Sequence, residues 1–214
     1  MPNIEISEKF ILFLEFIPIF LISLAIHEFA HALSAYKMGD PTAKALGRMT
    51  LNPVKHLDLV GSIIMPFLSY FTGMMFIGWA KPVPVNRSNF GRPEKDDILV
   101  SLAGLFANLL LAFILTGVLA VFYKMMPDNQ MLLKLIWLGV TFNVFLFLFN
   151  ILPFPPLDGS HVILDLFPHS AYARFINMPW FGTLILFLFI FSPLWRYFIY
   201  AVEFILKILA GFVV

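Results

Sequence analysis

Long apolar stretches separated by short polar loops form the hydrophobic pattern of this chain. The apolar stretches cover about residues 9–36, 59–80, 98–123, 132–152 and 181–214. A helix needs about 20 apolar residues to cross the hydrocarbon core of a bilayer, and the first, third and fourth stretches meet that length. The pattern therefore predicts a membrane protein whose chain crosses the bilayer several times as helices.

The remaining two apolar stretches are interrupted. Pro66, Gly73 and Gly78 break the stretch 59–80, which could cross the bilayer once or re-enter on the side that it left,. The dipeptide Ser192-Pro193 cuts the last stretch, which is either one long kinked span or two short elements. The sequence alone leaves that choice open.

The polar loops at 37–58 and 81–97 each carry four lysine or arginine residues. By the positive-inside rule both loops are cytoplasmic and the N-terminus lies outside, so we predict a re-entrant or broken helical hairpin at 59–80. Short membrane-associated strands are predicted at Thr42–Thr50. The prolines of the segment AKPVPVN favour an extended backbone. That segment could pair with an unwound substrate by strand addition or serve as a rigid connector.

The composition agrees with this pattern. Hydrophobic residues make up 60% of the chain and charged residues 13%, whereas a soluble domain carries about 25% charged residues. The mean hydropathy is +0.89. The net charge of +1 argues neither for nor against an acidic partner. Cysteine is absent, which excludes disulfides and thiolate ligands, so any metal must be held by histidine, aspartate or glutamate,.

The sequence AIHEFAHA, within the first apolar stretch, carries three ionisable residues. His27 and His31 are four residues apart and share one face of a helix, where two imidazoles can hold one zinc ion. Glu28 is turned about 100° round the helix axis, and this direction suits a base that accepts a proton from water. The spacing is the H-E-x-x-H of zinc peptidases. The stretch carries this motif, so we expect it to be retained and not cleaved as a signal peptide.

The alternative is that the two histidines only make polar contacts between helices. Charged groups in a membrane helix cost roughly 2.5–3.5 kcal/mol each and usually mark function. We therefore interpret the motif as a metal site.

A catalytic zinc site takes three protein ligands. Lys37 stands where a metzincin would have its third histidine, so that pattern fails, and the candidates are His56, Asp58, Asp158 and His161. Under the predicted topology, the chain after 132–152 returns to the cytoplasmic side, where Pro153, Pro155 and Pro156 unwind it and present Asp158 at the depth of the histidines,. We therefore choose Asp158. His56 stays open as a fourth or alternative ligand.

Two motifs at this separation resemble the site-2 protease family of intramembrane zinc metalloproteases. The first is HEFAH, and the second fits N-x-x-P-x-x-x-L-D-G through residues Asn150, Pro153, Leu157, Asp158 and Gly159. The stretch AGLFAN at 103–108 is similar to the family's central span, although Leu105 replaces a common proline. The segments LNPVKHLDLVG and GWAKPVPVN resemble the small subgroup without PDZ or CBS domains.

The resemblance implies one zinc ion held by His27, His31 and Asp158, with Glu28 as the catalytic base. It implies cleavage of peptide bonds within or near the transmembrane segment of a membrane-protein or membrane-peptide substrate. Asn150 and Asn108 are candidates for substrate or oxyanion support, and each could instead make only helix contacts. The alternatives are a membrane metal transporter and a non-catalytic relative that binds membrane proteins.

We thus expect an all-α polytopic membrane protein with about five to six membrane helices and a single protease domain at 1–214. Its core is 8–167, and a C-terminal membrane segment covers 180–214. We expect a bacterial-type plasma membrane, with the active site towards the cytoplasm. The expected partners are the lipid bilayer and the substrate, and we expect no nucleic acid. The oligomeric state stays open.

Overall fold

A computed structural model describes residues 3–72, 78–176 and 180–213, and these residues form helices and connecting turns without a strand. The α-helices are α1 (Asn3–Lys37), α2 (Thr42–Ala45), α3 (Met65–Thr72), α4 (Pro93–Met125), α5 (Gln130–Asn150), α6 (Asp158–Leu166), α7 (Ala171–Ile176), α8 (Phe181–Ile190) and α9 (Leu194–Ala210). A 3₁₀ turn at Pro53–His56 and a π-helical segment at Leu59–Ile64 precede α3, and a second 3₁₀ turn at Arg87–Asn89 precedes α4.

Three long helices, α1, α4 and α5, are apolar and long enough to cross a membrane. Local signals set their ends. Pro93 begins α4, where a missing N–H costs little,. The side chain of Asn129 accepts a hydrogen bond from the N–H of Leu132 and so caps α5,. Pro18 lies inside α1, which continues through it. The architecture is that of an all-α integral membrane protein.

The apolar core of the bundle lies between α4, α5 and α9. Ala112 of α4, Val140 and Val144 of α5, and Phe198 and Val202 of α9 are buried together there. Helix α4 also packs against α1 and α6. The late turns of α1 and the start of α6 therefore meet the early part of α4 at one end of the bundle.

The segment at 59–80 returns to the place from which it starts. The N–H of Trp79 donates to the carbonyl of Gly61 over 3.1 Å, and the hydroxyl of Ser62 donates to the carbonyl of Trp79 over 2.8 Å. The two ends of the segment are thus in contact, as the predicted hairpin requires. Gly73, which we named as one of its breaks, lies outside the described residues.

The strands predicted at Thr42–Thr50 are wrong. Thr42–Ala45 forms the short helix α2, and the chain then turns. Gly47 has a φ of +65°, a left-handed conformation that ends the helix and does not fit an extended strand,.

The number of membrane helices depends on which helices are counted. Among the described residues, three helices can span, or four if α8 and α9 form one span bent by 74°. Adding the shorter apolar helix Leu59–Thr72 gives five, and counting the two arms of the bent pair separately gives six. The break between α8 and α9 falls at Ser192-Pro193, so this stretch consists of two helices. A short helix, α7, lies between α6 and α8.

Candidate metal centre

Three side chains from two distant parts of the chain converge at the end of the bundle. The Nε2 atoms of His27 and His31 lie 2.9 Å apart. The Oδ2 atom of Asp158 lies 3.2 Å from the first and 3.4 Å from the second. Both imidazoles are buried in α1, and Asp158 is the first residue of α6. Among the described residues, these three form the one cluster of potential metal ligands.

The hydrogen bonds of the two rings decide where their lone pairs point. The Nδ1 atom of His31 lies 2.7 Å from the carbonyl oxygen of Val100, which only accepts, so this nitrogen carries the proton,. The Nδ1 atom of His27 donates to the Oδ1 atom of Asn108 over 2.6 Å. In the neutral rings both Nε2 atoms are then unprotonated. Two lone pairs and a carboxylate oxygen thus face one another.

This arrangement fits a zinc ion. Three electron-rich atoms repel one another unless a cation lies between them, and the buried Oδ2 atom of Asp158 has no hydrogen-bond partner,. Zinc bonds of 2.0–2.1 Å in a tetrahedron separate the ligand atoms by roughly 3.3 Å. The separations of 2.9, 3.2 and 3.4 Å lie close to that value. Two histidines and one carboxylate leave a fourth position for water or substrate, as in catalytic zinc sites.

Two glycines allow the helices to meet at this point. A Cβ on Gly104 of α4 would lie 2.3 Å from Nε2 of His31 and 2.8 Å from Cε1 of His27. A Cβ on Gly159 would lie 2.2 Å from the carbonyl oxygen of Ile151. The first glycine gives the imidazoles room against α4, and the second lets the chain after Asp158 pass the end of α5. No real Cβ atom makes contacts this short.

Asn108 belongs to a buried polar relay behind His27. Its Nδ2 atom donates to Oδ1 of Asn143 over 2.9 Å, and Nδ2 of Asn143 donates to Oγ of Ser23 over 2.9 Å. This orientation of the amide leaves the Oδ1 atom of Asn108 free to accept from His27. The relay thus fixes the tautomer and orientation of His27, in the way that hydrogen-bond partners behind metal ligands commonly do,.

The two asparagines that we predicted as supporting residues make different contacts. Asn108 contacts His27, one of the three candidate ligands. The Nδ2 atom of Asn150 donates to the carbonyl of Leu146 in its own helix over 3.0 Å. The side chain of Asn150 thus hydrogen-bonds within the last turn of α5. A helix contact of this kind was the alternative to substrate binding that the sequence left open.

Glu28 is buried beside the two histidines, as the motif predicts. Its Oε2 atom accepts a hydrogen bond of 2.7 Å from the backbone N–H of Val83. Glu28 is outside the converging group of ligands, which leaves its carboxylate available as a base.

The other ligand candidates lie elsewhere. The Nε2 atom of His56 donates to the carbonyl of Thr50 over 2.8 Å, so this ring stabilises its loop. Asp58 caps the π-helical segment by accepting from the N–H groups of Val60 and Gly61. His161 is exposed on α6. None of the three belongs to the cluster found among the described residues.

One charged network was not indicated by the sequence. Arg87 bonds to Asp165 of α6, and its Nε atom lies 3.5 Å from Oδ2 of Asp97 in α4. Burial, and then the adjacent Asp97 carboxyl, raise the pKa of Asp165 to about 6, although Arg87 opposes the shift,. Asp165 is distant from Arg87 and Asp97 in the chain and the three share no sequence pattern, so only the fold reveals the network. It ties the loop before α4 to the helix that begins with Asp158.

Comparison with known proteins identifies relatives of this chain. The "Putative zinc metalloprotease YwhC" of Bacillus subtilis (strain 168) is 39% identical over 182 residues, which cover 83% of this chain and 80% of the relative. The "Putative zinc metalloprotease Rip2" of Mycolicibacterium smegmatis is 35% identical over 144 residues, and that of Mycobacterium tuberculosis (strain ATCC 25618 / H37Rv) is 34% identical over 143 residues. The matches with Rip2 cover 65% of this chain and 52% of each relative. No protein-family model matches the chain, and no solved structure matches it significantly.

Proposed function

The chain belongs to the zinc metalloprotease family of these relatives, and from this premise we propose that it is an intramembrane protease of the site-2 type. Its substrates would be membrane proteins or membrane peptides, cleaved within or near a transmembrane segment. The observation that carries the proposal is the convergence of His27, His31 and Asp158 beside the buried Glu28, in a chain with several membrane-length helices. A soluble peptidase would not need those helices.

Each residue of the site has a distinct role in this proposal. His27, His31 and Asp158 would hold the ion, with Asn108 and Val100 orienting the two rings. When bound, zinc supplies a Lewis acid that lowers the pKa of water and polarises a peptide carbonyl. Glu28 accepts a proton as water adds to the carbonyl carbon and returns it to the leaving nitrogen as the C–N bond breaks. The substrate helix must unwind locally, because helical hydrogen bonds occupy the carbonyl that water attacks.

We also propose an orientation and a membrane. The basic loops at 37–58 and 81–97 favour the cytoplasmic side, and the ligands lie at the end of the bundle from which both loops extend,. Water would then reach the site from the cytoplasm, with the N-terminus outside. Relatives in Bacillus and in mycobacteria support a bacterial plasma membrane.

The segment AKPVPVN is better described as a connector than as a pairing edge for the substrate. The N–H groups of Trp79, Lys81 and Val83 already donate within the chain. Pro82 and Pro84 have no N–H to offer on the other edge. Substrate binding by strand addition at this segment therefore has little support.

The test compares Glu28→Gln with Glu203→Gln, which alters an exposed carboxylate on α9. Each purified protein is reconstituted with a single-span substrate peptide that carries a fluorophore and a quencher. We expect Glu28→Gln to retain zinc and lose cleavage, and Glu203→Gln to match the wild type. Cleavage by Glu28→Gln at the wild-type rate would remove Glu28 as the base. Zinc flux through liposomes that contain the wild type, without any cleavage, would instead indicate a transporter.

The physiological substrate can be sought with the same variant. Membrane proteomes of cells that carry wild type or Glu28→Gln are compared, and a single-span protein that accumulates full-length only with Glu28→Gln is the expected result. A proteome unchanged by the substitution would argue against a cellular substrate of this kind.

A further inference from the structure

The segment 79–86, which we call the strap, is an extended chain attached to the protein along one edge. The N–H groups of Trp79, Lys81 and Val83 donate to the carbonyls of Gly61 and His56 and to the Oε2 atom of Glu28, over 3.1, 2.9 and 2.7 Å. Alternate residues of an extended chain direct their polar groups to the same side, so one edge of the strap makes all three bonds. The bonds of Trp79 and Lys81 attach the strap to backbone carbonyls, and the bond of Val83 is made to Glu28, the proposed base.

Prolines on both sides define the N–H group that meets Glu28. Pro82 and Pro84 have no N–H, so Val83 supplies the one backbone donor of the Pro-Val-Pro run,. Each proline fixes its own φ and holds the residue before it extended. The direction of the Val83 amide is therefore set by its neighbours.

Further contacts fix the strap in place. The side chain of Val83 is buried with Ala32 and Ala43, and Ala32 directly follows a metal ligand on α1. The Nη2 atom of Arg48 donates to the carbonyl of Lys81 over 2.7 Å. At the end of the strap, the N–H of Asn86 donates to Asp40 over 2.7 Å.

We propose that the backbone N–H of Val83 is a positioning group for the Glu28 carboxylate, an inference that rests on the proposed function. It occupies Oε2 and leaves Oε1 as the atom that accepts and returns the proton. Among the described residues, Oε1 has no hydrogen-bond partner. A carboxylate with both oxygens free would rotate, whereas a donor fixed by two prolines holds it in one orientation before substrate binds. The Pro-Val-Pro sequence is thus part of the machinery that orients the base.

The first test compares Val83→Pro with Val83→Ala in the zinc-loaded full chain. Proline keeps a buried apolar side chain of similar size and places a ring carbon where the hydrogen bond lies, so Glu28 must move. A misplacement of about 1 Å can cost about 100-fold in rate. We expect kcat of Val83→Pro to fall about 10- to 100-fold with KM and zinc content unchanged, since only the base is displaced. Alanine loses buried side-chain volume but keeps the N–H, so kcat should fall clearly less in Val83→Ala than in Val83→Pro.

The second test measures the hydrogen bond without using activity. Amide hydrogen exchange of Val83 is followed in zinc-loaded wild type and in Glu28→Ala, with the Lys81 amide as the internal control. Loss of a hydrogen bond to a charged group, worth about 1.5–3 kcal/mol, should speed exchange of Val83 by at least about tenfold. The Lys81 amide donates to His56 and should not change. Equal exchange of Val83 in both proteins would overturn the inference.

The outcomes separate this inference from the proposed function. A Val83→Pro protein that keeps the wild-type kcat would overturn the inference and leave a protease whose base needs no strap. A wild type that never cleaves, or an active Glu28→Gln, would instead remove the proposed function. If Val83→Pro cannot be loaded with zinc, the exchange measurement decides.

Discussion

Replacing Gly104 by alanine tests whether α4 packs so closely against the imidazoles of His27 and His31 that no side chain fits between them. The new Cβ would lie 2.3 Å from Nε2 and 2.5 Å from Cε1 of His31, whereas ordinary van der Waals contact begins near 3.4 Å. His31 must therefore retreat by about 1 Å, or α4 must move away from α1 by a similar distance. Metal sites tolerate ligand shifts of only about 0.2 Å. The substitution should consequently disturb zinc binding more than it disturbs the fold.

The expected magnitude follows from that displacement. Changes behind metal ligands weaken metal binding by about 10- to 100-fold, and here the ligand itself must move, so we expect the upper end of that range. A 100-fold weaker zinc Kd removes about 2.7 kcal/mol of zinc-dependent stabilisation at a fixed saturating zinc concentration. The zinc-free protein should lose less stability than the zinc-bound protein, because no metal bond is lost and alanine favours a helix over glycine by about 0.5–1 kcal/mol, which offsets part of the clash.

The assay is zinc competition against a chromogenic chelator, combined with thermal unfolding in detergent with and without zinc. Gly117→Ala is the matched control, because it lies in the same helix and its Cβ would meet nothing within 4 Å. We expect Gly117→Ala to keep the wild-type zinc affinity and cleavage rate. A Gly104→Ala protein with wild-type zinc affinity and activity would refute the close packing of α4 on the imidazoles, and with it the geometry derived for the site.

Three further predictions concern the surroundings of the site. Asn108→Ala removes the acceptor of the His27 N–H, so zinc affinity measured by chelator competition should fall about 10- to 100-fold; unchanged affinity would mean that the relay does not orient the ring. Gly159→Ala places a Cβ 2.2 Å from the backbone oxygen of Ile151, and because backbone cannot yield as a side chain does, metal analysis of the purified protein should find little zinc. Full zinc content there would contradict the tight turn before α6.

The third concerns Asp165, whose pKa is about 6 in the folded protein and 3.8 as a free group. A folded pKa above the unfolded value means that its contribution to stability is present at low pH and lost as pH rises from about 4 through 6. The unfolding temperature of the wild type should therefore fall across that window relative to Asp165→Asn, whose amide does not titrate. Parallel pH profiles of the two proteins would contradict the shift.

The sequence predicted that His27, His31 and Asp158 come together, and the pattern behind this prediction is mostly local. His27, Glu28 and His31 lie within one helical turn and a half, and helical geometry alone puts both imidazoles on one face. Asp158 was chosen from the topology that the basic loops predict, in which the chain after 132–152 returns to the side of the histidines. The apolar stretches likewise set the long helices, since their length matches the bilayer.

Only the tertiary structure revealed the contacts between residues that no sequence pattern connects. In the sequence Gly104 is one small residue among others in a membrane helix, and only the structure places it against His31. The hydrogen bond from the Val83 amide to Glu28 likewise depends on the strap passing beside α1. The different contacts of Asn108 and Asn150 also became visible only in the structure. A side-chain amide bonds to whichever donor or acceptor the packing brings within about 3 Å. Local periodicity determines which face of a helix carries the chemistry, but close approach between helices depends on the packing of the whole bundle.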